Sequence, residues 1–166
     1  MNEIMLSIRP KWCELIASGQ KTIEVRKTKP KCNVPFKVYI YCTEDFRTST
    51  KDRNHKFWIG EPINGVSDGR YLGNGKVIGE FVCDRVVDVD CDSVAPFDKD
   101  SGSYIDKQIC IDREQFLEYT RFRCCFGWHI SDLIIYDKPK DLSDFGMKRP
   151  PQSFCYVEKE RESNDE

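Results

Sequence analysis

No run of apolar residues in this chain approaches the ~18 that a membrane-spanning helix needs. A helical membrane protein is therefore excluded, and no membrane partner is expected. The opening stretch Met1 to Arg9 (MNEIMLSIR) lacks the basic start and long apolar core of an export signal, so the expected localisation is cytoplasmic. The nine cysteines contain no CxxC pair. An odd number without paired spacing argues against a disulfide framework, and most of these thiols are expected in the core as small hydrophobes. Histidine is scarce, with only His55 and His129 to complement cysteine at a metal or to serve a thiol nucleophile as base. No metal and no cofactor is expected on those grounds. The phosphate-loop, dinucleotide, zinc-protease and nucleophile-elbow patterns GxxxxGK(S/T), GxGxxG, HExxH and GxSxG are all missing. The common nucleotide-hydrolase and protease chemistries thus have no support.

What is present suffices for one folded domain. The chain has 166 residues, 39% of them apolar and 12% aromatic, enough to bury roughly two thirds of the surface its unfolded form exposes. The expected layout is one domain over residues 1–157 with an insertion loop at about 43–75, followed by a disordered acidic tail at 158–166. The formal net charge of −2 conceals an asymmetry. Residues 1–57 hold twelve Lys/Arg against six Asp/Glu, a surplus of +6, whereas 58–157 stand at −5 and the tail at −3. Between Lys21 and Lys37 there are six cations (Lys21, Arg26, Lys27, Lys29, Lys31, Lys37) and one anion, Glu24. Such a patch suits a phosphate backbone or an anionic ligand; a solvated loop is the alternative that charge alone leaves open.

Periodicity sketches the elements. Ile4 to Arg9 reads as a short strand ended by Pro10, and Trp12, Leu15 and Ile16 fall at helical spacing before Gly19, which supplies a left-handed stop. The segment 21–27 alternates Thr22, Glu24 and Arg26 against Ile23 and Val25, so a strand places Glu24 and Arg26 on one face. Residues 37–42 form a core strand. A short strand is expected around 57–59 within the insertion, and 76–91 reads as a long strand or strand pair, with Gly79 marking a bulge or bend. Asp112 with Gln115 caps a helix over about 112–120, 127–136 is the strongest strand of the second half, and 154–157 closes the chain. His129 lies within that apolar strand and is expected as a satisfied core or interface residue rather than a catalyst. Five to seven strands and two short helices in this order predict an α+β domain on a small, mostly antiparallel β-barrel with short flanking helices.

The informative stretch is Ser18 to Lys27 (SGQKTIEVRK) behind LSIRPKWCELIA. A lysine can neutralise a phosphate or, once desolvated, act as a base. A carboxylate three residues on can orient it or move protons, and Arg26 offers a planar fork for phosphate or a base edge. A surface Glu24–Arg26 pair worth under ~1 kcal/mol is the structural alternative. Trp12 and Trp128 are candidate stacking faces, although both sit at core-like spacing.

The pattern Gly19, Lys21, Thr22, Glu24, Arg26 resembles the GxKxxExR signature of the ASCH domain, a member of the PUA-like superfamily. LSIRPKWCELI, GKVIGEF, GWHISDLIIYDKP and RPPQSFCYV are likewise similar to ASCH proteins carried by bacterial and prophage genomes. The resemblance implies a PUA-like barrel with a cleft at the signature that binds RNA or a modified nucleoside or nucleotide. The signature and the +6 front segment together predict a cleft lined by Lys21, Thr22, Glu24 and Arg26, with Arg9, Lys27 and Lys29 as backbone contacts. Some ASCH relatives are amidohydrolases of N4-acylated cytidine, in which the signature lysine works with a threonine three residues later and a remote glutamate. Lys21 matches; the threonine position is Glu24 here, and Glu80 is a weak candidate for the remote acid. If the chain is an enzyme, Lys21 and Glu24 are the catalytic candidates, and ribonuclease activity is the other resemblance-based option. A further alternative is a phage-derived interaction module that meets a protein partner through residues 43–75.

Overall fold

A computed structural model of the chain describes residues 1–44, 55–62, 69–90, 95–121 and 123–158. Strand β1 (Glu3–Ile8) is buried on both faces, as its apolar run requires. Pro10 then opens helix α1 (Pro10–Ala17) at the position where a missing N–H is harmless, and Pro10, Cys13 and Ile16 face the core. Ser18 and Gly19 donate their N–H groups to Glu14 and Ile16, with Gly19 at φ +79°, the left-handed region that glycine enters at no steric cost. The Lys21 N–H returns to the Leu15 carbonyl, which lays the chain along the helix before β2 (Ile23–Arg26) begins.

The remaining elements are β3 (Phe36–Cys42), a separate hairpin of β4 (Trp58–Ile59) and β5 (Tyr71–Leu72), the long β6 (Lys76–Asp90), β7 (Phe97–Asp98), β8 (Ser103–Tyr104), the short helix α2 (Asp106–Ile109), α3 (Arg113–Thr120), the long β9 (Cys125–Lys140) and β10 (Phe154–Tyr156). Eight strands form one mixed sheet, in which β10-β1-β3-β6-β7-β8 run side by side while β9 lies along β6 and carries β2 on its far edge. Among the described residues only the β1–β3 pairing is parallel. The sheet curls into a half-barrel, so the expectation of a small, mostly antiparallel barrel with short helices holds.

Alternation sorts the side chains. Leu6, Val38, Ile40, Phe81, Cys83, Trp128 and Ile130 fill the inside of the curl. Ile23, Val25, Val87, Val89 and Cys125 face the other way, onto Ile105, Ile109 and Phe116. Each fully buried side chain of this kind contributes about 1.5–3 kcal/mol by leaving water. Asp112 accepts the Gln115 N–H at 2.8 Å, so the helix expected there starts where its cap was read.

One detail, the number of elements, differs from the sequence reading. The described residues hold ten strands and three α-helices. The surplus consists of two-residue strands and a four-residue helix, too short to leave a period. Residues 76–90 form one strand, whose register shifts at Gly79; a Cβ there would lie 2.3 Å from the Ile134 carbonyl oxygen. The insertion at 43–75 and the tail at 158–166 lie partly outside the described residues, at 45–54, 63–68 and 159–166.

Candidate functional site

Because Ile23 and Val25 turn toward the helices, Glu24 and Arg26 must turn into the curl, and the strand register sets Glu24 directly opposite Trp128. Glu24 is only 6% exposed, so its charge has to be met inside the protein. Two partners meet it: the Lys21 ammonium at 3.5 Å from Oε2 and the Arg26 guanidinium at 3.1 Å from Oε1. This is a buried ionic chain, and the weak surface pair is excluded.

Lys21 is 1% exposed and also donates from Nζ to the Ile109 carbonyl at 2.6 Å, at the C-terminal end of α2. The Trp12 ring centroid lies 5.2 Å from the same nitrogen. Burial pulls the Lys21 ammonium below the ordinary lysine range, against the charge and hydrogen bond of Glu24. Burial likewise pushes the nearby Cys13 thiol well up, with Cys42 and Glu24 acting in the same direction. A thiol in that state is a poor nucleophile.

Arg26 ties edge strand β2 to the β1–β10 side of the sheet. From edge strand β2 it donates Nη2 to the Ser7 carbonyl on β1 and Nη1 to the Ser153 hydroxyl, 3.3 Å away, just before edge strand β10. The open side of the half-barrel is thus spanned by one guanidinium. Two buried donors beside it, Arg26 Nε and Trp128 Nε1, have no acceptor among the described residues. Trp128 is held by edge contacts from Phe36 and Phe154, at 5.5 and 5.2 Å between ring centroids.

The other expected residues divide. Thr22 acts through its backbone, its N–H bound to the Gln108 carbonyl and its carbonyl to the Ile130 N–H. Lys27 and Lys29 are exposed beyond Arg26, and their ammonium groups lie 5.0 and 5.1 Å from the Tyr119 and Phe126 rings. Arg9 is exposed at the start of α1, where its carbonyl accepts from Trp12 and Cys13. Glu80 is not brought into this group. Alternation from Phe81 and Cys83 sends it to the outer face, where it takes the Tyr136 hydroxyl at 2.7 Å and the Lys37 ammonium at 3.2 Å. His129 is half-buried and bonded to Asp84 at 2.6 Å, a satisfied residue.

Sequence reading missed Ile109, Ser7 and Ser153 as partners. Ser7 left one faint trace, a hydroxyl inside an otherwise apolar strand; a backbone carbonyl and a serine 127 residues from Arg26 left none.

A mixed sheet curled into a half-barrel, flanked by short helices and closed by a buried lysine–carboxylate–guanidinium chain, defines the class: a mostly β fold of PUA-like form. The ASCH domain family model matches residues 6–120, and the chain belongs to that family. The crystal structure of ASCH from Zymomonas mobilis is similar over 95% of this chain and 88% of that one, with TM-score 0.64 and 18% identity. A mutant form of the same protein gives TM-score 0.65 and 18% identity over 96% and 92% of the two chains. No curated protein matches the sequence.

Proposed function

We propose that this ASCH domain binds RNA at the open side of its half-barrel, with Lys21, Glu24 and Arg26 as the recognition group and Arg9, Lys27 and Lys29 as backbone contacts. The observation that carries the reading is the buried Lys21–Glu24–Arg26 chain, set beside two donors that lack acceptors. A base edge offers the acceptors those donors lack and the N–H groups a carboxylate accepts. An RNA strand is favoured over a free nucleotide because Lys27 and Lys29 lead away from the group in the open, each beside an aromatic ring. A single nucleotide would leave that strip unused.

The test is anisotropy of a labelled single-stranded RNA at low salt. Wild type should bind, and a Lys21→Ala, Arg26→Ala double variant should lose at least about tenfold in affinity. Undetectable binding, or affinity unchanged in the variant, refutes the reading.

One observation favours a second reading, hydrolysis of N4-acylated cytidine-type nucleosides or of RNA: a desolvated lysine touches a carboxylate. There Glu24 takes the place of the relatives' threonine by activating water while Lys21 stabilises the developing oxyanion. Binding remains the preferred reading, because Lys21 is already engaged by Ile109 and Glu24. Glu24→Gln should cut any turnover about a hundredfold; turnover that survives it, or none in wild type, removes this reading.

A further inference from the structure

The group assigned above to recognition is shut away from solvent: Lys21 is 1% exposed, Glu24 6% and the Arg26 side chain 12%. A ligand that touches it must first displace something, and the elements around it are held very differently. Helix α2, against Lys21, is anchored by Ile109, which is completely buried in one cluster with Ile23, Val25 and Val87. The segment at 149–157 has no fully buried residue. Its strand β10 has three residues and, among the described residues, pairs with β1 alone; Pro150 and Pro151 before it have no N–H to donate.

What holds this segment down is largely polar. The Ser7 hydroxyl donates to the Pro151 carbonyl at 2.6 Å, the Ser7 N–H to the Ser153 carbonyl at 2.9 Å, and the Lys31 N–H to the Tyr156 hydroxyl at 3.0 Å. Phe154 lies against Trp128, the residue opposite Glu24, with 5.2 Å between ring centroids. A hydrogen-bonded edge with little fully buried apolar surface is the kind of element that opens at low cost. One further tie runs to the site itself. Arg26 Nη1 donates to the Ser153 hydroxyl at 3.3 Å, long for a charge-assisted bond. That hydroxyl is an acceptor of the chain's own, on the donor a ligand's oxygen would need.

We infer that residues 149–157 form a strap that closes the Lys21–Glu24–Arg26 group, with the Ser153 hydroxyl competing with the ligand for Arg26. The ligand's identity rests on the RNA reading above, whereas the closure is measured without any ligand. Apparent affinity is the intrinsic affinity multiplied by the open fraction, so a change that favours opening tightens binding. Met5 stands opposite Cys155 in the β1–β10 register, at a spacing a disulfide bridges, so Met5→Cys staples the strap when oxidised and releases it when reduced. Access is read at Lys21, whose acetylation by acetic anhydride is followed by mass spectrometry with exposed Lys99 as internal reference and identically oxidised wild type as control. The oxidised staple should slow Lys21 acetylation at least about tenfold, and reduction should restore it. Ser153→Ala, which serves as the test if the staple disturbs folding, should speed acetylation about threefold and tighten binding of a labelled uridine dodecamer by a similar factor. A hydroxyl that merely positioned Arg26 would act in the opposite sense, its loss weakening the complex. Lys21 acetylation within about twofold in the two redox states, or weaker dodecamer binding by Ser153→Ala, overturns the strap. If wild type ignores the dodecamer while the staple still controls Lys21, the strap stands and the RNA reading falls.

Discussion

Glu24 is the residue on which the others depend. Lys21 and Arg26 are each pinned by a second partner, but their shared counter-charge is this one carboxylate. Removing one member of a buried ionic group leaves charge uncompensated in a poorly solvated place, which typically costs about 3–5 kcal/mol. Glu24→Ala should therefore lower stability by about that amount in urea titration. Lys21→Met should cost less, because Glu24 keeps Arg26 and a desolvated ammonium disappears. Equal losses in the two variants would show that the carboxylate is not the hub. Glu80 supports a prediction of a different kind. Its burial works to raise the carboxyl, but hydrogen bonds from Tyr136 and Lys37 and the charges of Lys37 and Lys140 outweigh it and hold the group below the ordinary glutamate range. Its folded pKa is thus below the unfolded value of ~4.3, so the unfolded chain takes up the proton first. The stabilisation is present above ~4.3 and is lost as pH falls through the folded value. In stability curves at stepped pH, wild type should exceed Glu80→Gln near neutrality, and the gap should close toward pH 3.

At the level of elements, Gly79 governs how the curl is made. The sheet bends where β6 shifts register against both β3 and β9, and the backbone of β9 approaches so closely that a Cβ would sit 2.3 Å from Ile134 O and 3.1 Å from Ile135 Cα. Backbone cannot step aside as a flexible side chain can. Gly79→Ala should cost about 3 kcal/mol or more, whereas Gly102→Ala meets no atom within 4 Å and bears only the penalty of its φ of +70°, about 1 kcal/mol. Thermal melts of the two variants decide; similar shifts would place the bend elsewhere. The glycine itself was legible in the sequence, as were α1 with its Gly19 stop, the cap at Asp112 and the alternation that puts Glu24 and Arg26 on one face. These signals are local, written within one or two turns of chain. Helix α2 was not legible, since four residues show no period, yet its last carbonyl receives the Lys21 ammonium. The depth of burial of Lys21 was equally hidden, because a basic stretch reads the same on a solvated loop as beneath a helix end.

For the whole molecule, the decisive quantity is where charge is placed. A net charge of −2 gives RNA no general attraction, so any strong salt dependence must come from a local set of cations. Three exposed candidates, Arg9, Lys27 and Lys29, belong to the +6 front third and flank the Lys21–Glu24–Arg26 chain. Single strands release about 0.7 counterion per phosphate neutralised, so three contacts predict a slope of about −2 for log K against log salt. Lys27→Ala with Lys29→Ala should flatten that slope to about −0.7. Each loses a cation over a ring, but neither lysine is in the core, so melting temperature should hold. A control pair of exposed lysines on the acidic part, Lys99→Ala with Lys148→Ala, should leave the slope as it was. If the control flattens it equally, the attraction is spread over the surface and the front third has no special claim on the phosphate chain; if only Lys27 and Lys29 matter, the strand runs along the strip that leads away from Arg26.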